Sequence, residues 1–401
     1  MPEVISNKKQ LKVISNPNDN SFYSGILPNG CQHCVKGGKL VIFITGLCPQ
    51  RCFYCPVSEE KFAKDRIFAD EWEIEDNEQG DQNLIKEAEL IDATGAGITG
   101  GDPLTVVDRV CRYIKLLKDR FGQQFHTHLY TPMKLVTEET LKKIFDAGLD
   151  EIRFHPDLDD DSMWERIKIA TKFDWDIGLE IPCLPDKEKQ TKKMIDYAKD
   201  FITFINLNEL EFSDTAVSHY DLSNNSRNYK TKNDTSYGVE GSAELAREII
   251  TYCNEKNYAL TVYFCPSRLK DRTQMGNRLK RRAKNVARST DEITDEGTLI
   301  RGVIYLPELK PDFSYKKRVK EIKDNGEKSE DIINKLKNVL EEVKLTFKKN
   351  AIFLDETKFR LITNKSFVKK NQQKLKIMNL MPAIVEEYPT ADSLELEIDF
   401  L

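Results

Sequence analysis

Between Lys39 and Phe264 the sequence repeats one unit, a short apolar run followed by a stretch of helical spacing, and this limits the fold more than any other feature. The run Leu40-Val41-Ile42-Phe43-Ile44 has the unbroken apolar character of a strand buried on both faces. Further strands are expected at 96–99, 125–131, 151–155, 177–181, 204–208 and 260–264. Residues 104–121 carry apolar side chains at helical intervals, and Thr137 is placed to cap a helix running to Asp146. Alternating strands and helices imply a parallel sheet or barrel with right-handed crossovers. Six or seven units fall short of a closed eightfold barrel, so an α/β fold with a partial (β/α)6-type barrel is expected over residues 39–295.

Outside that repeat the rhythm differs. Residues 1–38 read as an N-terminal extension that carries Cys31 and Cys34. Residues 296–401 read as a smaller α+β domain of βαββαβ type, with a Lys-rich charged connector at 310–328. Two stretches interrupt the barrel pattern. Residues 213–240 form a polar insertion, read as a lid or a disordered segment. Residues 268–288 hold nine Lys or Arg and one Asp, a basic helix expected at the barrel rim. Such a helix is either a solvated face or a contact for phosphate or acidic groups.

A net charge of −5 gives no global attraction to nucleic acid or to an anionic membrane. No apolar run reaches the length of a membrane span, and the polar start shows no signal-peptide core. The expectation is a cytoplasmic protein with no membrane partner. Five of the nine cysteines fall between Cys31 and Cys55. In a reducing compartment such clustering points to metal ligation and away from disulfides.

Cys48-Pro-Gln-Arg-Cys52-Phe-Tyr-Cys55 follows the first expected barrel strand directly. Three thiolates on one tight loop can hold three irons of a 4Fe–4S cube and leave the fourth iron open. Two other classes compete. Cys31-x2-Cys34 with Cys52-x2-Cys55 fits the spacing of a zinc-ribbon binding protein. A non-catalytic iron–sulfur electron carrier is the other, although such carriers use four protein ligands. A second motif, Gly97-Ile98-Thr99-Gly100-Gly101-Asp102-Pro103, ends the next strand, and its glycines allow close approach of backbone to a ligand.

Together these residues resemble the radical S-adenosylmethionine (SAM) superfamily, and most closely an archaeal group related to pyruvate formate-lyase activating enzymes. Cys48, Cys52 and Cys55 match its CxxxCxxC signature, and Tyr54 matches the aromatic residue that meets the adenine. Gly100-Gly101-Asp102-Pro103 resembles its GGE motif with Asp in place of Glu. The resemblance implies a 4Fe–4S cluster on the three cysteines and SAM chelating the open iron. It also implies that Gly100, Gly101 and Asp102 bind the SAM amine and that Glu180 contacts its ribose or carboxylate. The implied reaction is reductive cleavage of SAM to a 5′-deoxyadenosyl radical, which takes hydrogen from a small molecule, protein or RNA. An external one-electron reductant is the implied partner.

The later strands alternate polar and apolar residues. His126, His128 and Tyr130, then Arg153 and His155, Glu180, and Asn206 and Asn208 share one phase. Leu129, Ile152, Phe154, Leu179, Ile181, Ile205 and Leu207 take the other. The apolar set should meet the helices, leaving a polar lumen in which His128, Arg153, Asn206 and Asn208 are candidate substrate contacts. Cys31 and Cys34 precede the first barrel strand, so they are expected at the end opposite the cysteine loop. With Cys265 or His33 they are candidates for a second metal or cluster.

Overall fold

The structure, a computed structural model, describes residues 12–212, 222, 229–232 and 237–401. Most of the polar insertion 213–240 therefore lies outside the described residues. The chain forms two compact units that divide between Arg278 and Leu279. The division falls inside the helix Met275–Val286, upstream of the 295/296 boundary suggested by the change of rhythm. Among the described residues no helix is long and apolar enough to cross a membrane.

The first unit is built on one eleven-stranded sheet. In chain order its strands are β1 (Val13–Asn16), β2 (Ser21–Ser24), β3 (Lys39–Phe43), β4 (Ile67–Ala69), β5 (Trp72–Ile74), β6 (Gly95–Thr99), β7 (His126–Thr131), β8 (Glu151–Phe154), β9 (Asp176–Cys183), β10 (Phe204–Glu209) and β11 (Thr261–Cys265). Their order in the sheet is β1-β2-β11-β10-β9-β8-β7-β6-β3-β4-β5. The strands from β3 across to β11 are the seven read from the sequence, and all pair in parallel. Antiparallel hairpins β1–β2 and β4–β5 extend the two margins. The sheet is thus a partial barrel with seven parallel strands, one beyond the six-unit minimum.

The alternation behaves as period-two geometry requires. Leu40, Ile42, Ala96, Ile98, Leu129, Ile152, Phe154, Leu179, Ile181, Ile205, Leu207, Val262 and Phe264 are buried in one core with the covering helices. The residues between them face the lumen. A short helix, α1 (Asn29–Val35), follows β2, which lies beside β11, and leads into β3 at the other margin of the parallel strands. It thereby spans the open side of the barrel.

Gly30 is what lets α1 approach. A Cβ there would stand 2.6 Å from Arg153 Nη2, 2.7 Å from His128 Nδ1 and 2.9 Å from Glu151 Oε1. The helix lies directly on the inner face of β7 and β8 and closes the lumen below. Gly30→Ala is therefore expected to destabilise the protein by about 1–3 kcal/mol through overpacking, read as a lower denaturation midpoint in urea. An unchanged midpoint would show that the floor helix is loosely seated.

The second unit carries an antiparallel six-stranded sheet. Its strands are β12 (Glu292–Ile293), β13 (Leu299–Tyr305), β14 (Phe353–Asp355), β15 (Arg360–Thr363), β16 (Met381–Glu387) and β17 (Glu395–Phe400). The order is β14-β15-β13-β16-β17, with β12 beside β13. Helices Gly326–Phe347 and Lys365–Ile377 contribute Leu336, Val343, Val368 and Leu375 to its core. The expected charged connector contains a helix, Tyr315–Asp324, because Tyr315, Val319 and Ile322 supply an apolar stripe among its lysines.

Candidate active site

A cavity of about 680 Å³ runs through the barrel of the first unit. At its upper end it is lined by Cys48, Cys52, Tyr54 and Cys55. None of these cysteines is disulfide-bonded. Burial pushes the thiol of Cys48 up to about 11 and that of Cys52 up to about 12. As isolated groups they are neutral thiols, and the charge of bound iron would make them thiolates.

The glycine motif docks on the root of the cysteine loop. Gly101 N–H donates to Thr45 O and Asp102 N–H to Leu47 O, both at 2.8 Å. Gly100 has φ +140°, in a region side chains avoid, and a Cβ on it would fall 2.3 Å from Thr45 O. A Cβ on Gly101 would fall 2.2 Å from Leu47 O and 3.0 Å from Cys48 Cβ. The two motifs are one structural unit, and Gly100 and Gly101 line the cavity.

Asp102 departs from the expectation of a side chain open to the cavity. It is fully buried and does not line the cavity. Its Oδ1 accepts from Leu104 N–H at 3.1 Å and Thr131 Oγ1 at 3.0 Å, capping the short helix Pro103–Val106. An Asp before Pro is a strong helix start, and that local demand takes half of the carboxylate. Oδ2 is buried without a partner. Burial raises this carboxyl to about 6.

Tyr54 is held from the side. His155 Nδ1–H donates to Glu180 O at 2.7 Å, and burial lowers the histidine's pKa, so its Nε2 is a neutral acceptor. The Tyr54 hydroxyl donates to it at 2.9 Å.

Below this level the lumen is polar, as alternation predicts. Glu180 is its hub. Oε2 accepts from Arg153 Nη1 at 2.9 Å and Asn206 Nδ2 at 2.7 Å, and Oε1 from Asn208 Nδ2 at 2.7 Å. Arg153 is 2% exposed and also binds Glu151, which is wholly buried, through Nε at 2.5 Å. Arg153, Glu180, Asn206 and Asn208 all line the cavity.

His128 does not line it. The ring is buried, with Nε2 3.0 Å from the Tyr130 hydroxyl, and Tyr130 takes the lining position. Alternation assigned its face correctly, but α1 covers that depth of the lumen. Cys31 and Cys34 lie on α1 and line this same cavity, together with Cys265 of β11. Among the described residues no three His, Cys, Asp or Glu side chains converge on a point suited to one metal ion. A 4Fe–4S cube takes one thiolate per iron, so its ligands surround a cluster and need not converge.

The basic stretch reaches further inward than the rim. Lys270 and Gln274, in the π-helical turn Leu269–Gln274, line the cavity, and Lys270 is paired with Glu211. Lys39, Lys61 and Tyr263 are further lining residues that motif reading missed. Lys39 left a signal, since it heads an apolar strand in phase with the inward Val41 and Phe43.

The sequence model of the radical SAM superfamily matches residues 42–205. A Methanocaldococcus jannaschii protein, provisionally named as a glycyl-radical enzyme activating enzyme, is 37% identical over 380 residues, 92% of each chain. This chain belongs to the radical SAM superfamily. Among solved structures, Streptococcus suis SuiB bound to S-adenosylmethionine has a TM-score of 0.39 at 11% identity, covering 57% of this chain and 50% of that one. Coproporphyrinogen III oxidase of Escherichia coli has a TM-score of 0.36 at 9% identity, covering 56% and 55%. Likenesses at these scores carry no argument about the site.

As a radical SAM enzyme the chain uses a 4Fe–4S cluster and SAM. When bound, the cluster would supply the one-electron reduction that cleaves SAM for hydrogen abstraction. The donor set fits these groups: three free thiols share one open end of the cavity, beside a glycine cradle and an unpartnered carboxylate oxygen. The chain's own contribution is to hold that end rigid through the Thr45 and Leu47 carbonyls and to keep the lumen narrow. Its buried ion network fixes the polar wall of that lumen.

Proposed function

We propose that Cys48, Cys52 and Cys55 ligate the cluster and that Tyr54 with the Gly100–Asp102 turn receives SAM. Glu180, Arg153, Asn206 and Asn208 then form the wall beside the substrate hydrogen. The observation that carries this reading is the single cavity joining the three thiols to the Glu180 hub. A radical formed beside the open iron reaches only a hydrogen in van der Waals contact, so the reacting group must enter this lumen.

For the substrate, the reading follows the Methanocaldococcus relative: a glycyl residue of a partner enzyme. One electron, SAM and the glycine Cα–H would yield methionine, 5′-deoxyadenosine and a glycyl radical. The test is anaerobic incubation with reductant, SAM and a candidate partner carrying α-deuterated glycine. Deuterium is expected in 5′-deoxyadenosine by mass spectrometry. Cleavage of SAM without deuterium transfer from any such partner would defeat the activase reading. A second reading, a small polar molecule, is favoured by the depth and charge of the lumen.

Asp102 offers a separate test of the SAM site. Asp102→Asn keeps a capping oxygen but removes the charge at Oδ2. If that oxygen meets the SAM amine, affinity should fall about tenfold or more, the worth of one charge-assisted hydrogen bond. Stability and iron content should hold. Asp102→Ala should in addition cost about 0.5–2 kcal/mol from the lost cap. Unchanged SAM affinity of Asp102→Asn by calorimetry would leave Asp102 a purely structural cap.

A further inference from the structure

Lys39 opens β3, and with Val41 and Phe43 it faces the lumen. Four steps of about 3.3 Å place its Cα about 13 Å below Phe43. It therefore sits at the end of the cavity away from the cysteine loop that follows the strand. Gly97 on the adjacent strand makes room for it, since a Cβ there would stand 3.2 Å from Lys39 Cδ and 2.7 Å from His128 Nε2.

The surroundings of this ammonium differ from those of Arg153 and Lys270. Arg153 is paired with Glu151 and Glu180, and Lys270 with Glu211. Among the described residues Lys39 forms no ion pair with a carboxylate, and Cys34, Tyr130 and Arg153 are among its neighbours. Burial pulls the pKa of Lys39 down, while the Cys34 sulfur, which is also its hydrogen-bond partner, and the Tyr130 oxygen pull it up, for a net rise. Lys39 is partly buried on the lumen wall with no carboxylate paired to it, so a ligand anion entering the lumen would find this cation unneutralised.

A second lining group is also left waiting. The Asn206 side chain is 3% exposed, and its Oδ1 is buried without a partner. Glu180 only accepts, so Asn206 must turn its NH2 toward it, which directs Oδ1 elsewhere. The lumen thus offers a cation at its base and an unused acceptor in its wall.

We propose that Lys39 anchors an oxyanion of the substrate, a carboxylate or a phosphate, while Asn206 Oδ1 accepts from a donor on the same molecule. This rests on the reading that substrate occupies the lumen. The substrate is then an elongated acid, with its reacting C–H toward the cysteines and its acid group at the floor. The acid is either a small free molecule or the terminal carboxylate of an inserted peptide.

The test uses cluster-loaded, SAM-bound enzyme under anaerobic calorimetry. The probes are succinate, inorganic phosphate, glycerol phosphate, and a short glycine-containing peptide as free acid and as C-terminal amide. Wild type should bind at least one acid saturably below about 10 mM, a weak but specific affinity. Lys39→Met should weaken it about tenfold or more, the loss of one charge-assisted contact. Lys39→Arg should stay within about threefold, because the charge is kept although the geometry differs. Binding by the small acids alone identifies a free acid, and binding by the peptide acid but not its amide identifies a chain terminus. No binding of any acid by wild type, or equal binding by Lys39→Met, overturns the proposal. Absence of SAM cleavage by loaded wild type would defeat the function proposed above, while the binding comparison still decides Lys39.

Discussion

Replacing Cys48, Cys52 and Cys55 together by alanine is expected to remove the 4Fe–4S cluster and with it all SAM cleavage. Reductive cleavage of a sulfonium needs an electron at a potential that cluster iron supplies, down to about −700 mV at the extreme. The thiols, phenols and carboxylates that line the rest of the cavity cannot supply it. Formation of 5′-deoxyadenosine should fall about a thousandfold or more, because the cofactor carries the difficult step. The fold should survive, since residues 48–55 contribute no helix or strand. Anaerobic iron analysis and the visible spectrum would check this directly. Cys31→Ser with Cys34→Ser gives the contrast. If a second cluster or metal occupies the floor, metal content falls while the SAM cluster persists; if these are free thiols, nothing changes. Retention of a full cluster spectrum in the Cys48/Cys52/Cys55 triple variant would sink the ligand assignment.

The parts of this protein that were legible in the sequence are those set by local chemistry. The parallel strands announce themselves as short apolar runs, and those from β7 to β10 by alternating an apolar outer face with a polar inner one; the outer residues do form one core. The cysteine loop and glycine turn are contiguous motifs, and their docking through Thr45 and Leu47 needs no distant residue. Glu180, Asn206 and Asn208 were found by phase alone, and their registers, Glu180 opposite Asn206 and Pro182 opposite Asn208, bring them together.

What stayed hidden depends on topology. Nothing in the string Asn29–Val35 says that it crosses the open side of the barrel, so the end of the barrel expected for Cys31 and Cys34 was readable but their place on the cavity lining was not. That crossing in turn buries His128, whose phase was right but whose depth was not. Asp102 was read as a ligand because of its motif, while its own neighbour Pro103 marked it equally well as a helix cap. Lys270 was assigned to the rim because a basic run looks solvated, yet the π-helical turn after β11 swings it toward Glu211 in the cavity.

Arg153→Met is expected to give the largest loss of stability of any single lumen change. The guanidinium is 2% exposed and the Glu151 carboxylate it binds is 0% exposed, so truncation strands a charge inside the barrel. Removing one partner of a buried ion pair typically costs about 3–5 kcal/mol. Glu151 keeps the Gly30 N–H at 3.2 Å and the His126 ring, whose Nε2 lies 3.6 Å from its Oε2. Glu180 fares better, because Asn206 and Asn208 still donate to both of its oxygens. The cost should therefore trace to Glu151, and Arg153→Met with Glu151→Gln should recover a substantial part of it, giving a non-additive cycle. The introduced glutamine carries no charge, and its amide oxygen can still accept from Gly30 N–H. Unfolding should be followed anaerobically in urea on variants matched for cluster content, since unequal loading would shift the midpoint independently. Asn208→Ala supplies the functional contrast: it lines the cavity, belongs to no ion pair, and should slow coupled turnover with little change in midpoint. If Arg153→Met unfolds at the wild-type midpoint, water reaches Glu151 from the lumen. The floor helix would then not be the seal that Gly30 and its neighbours imply.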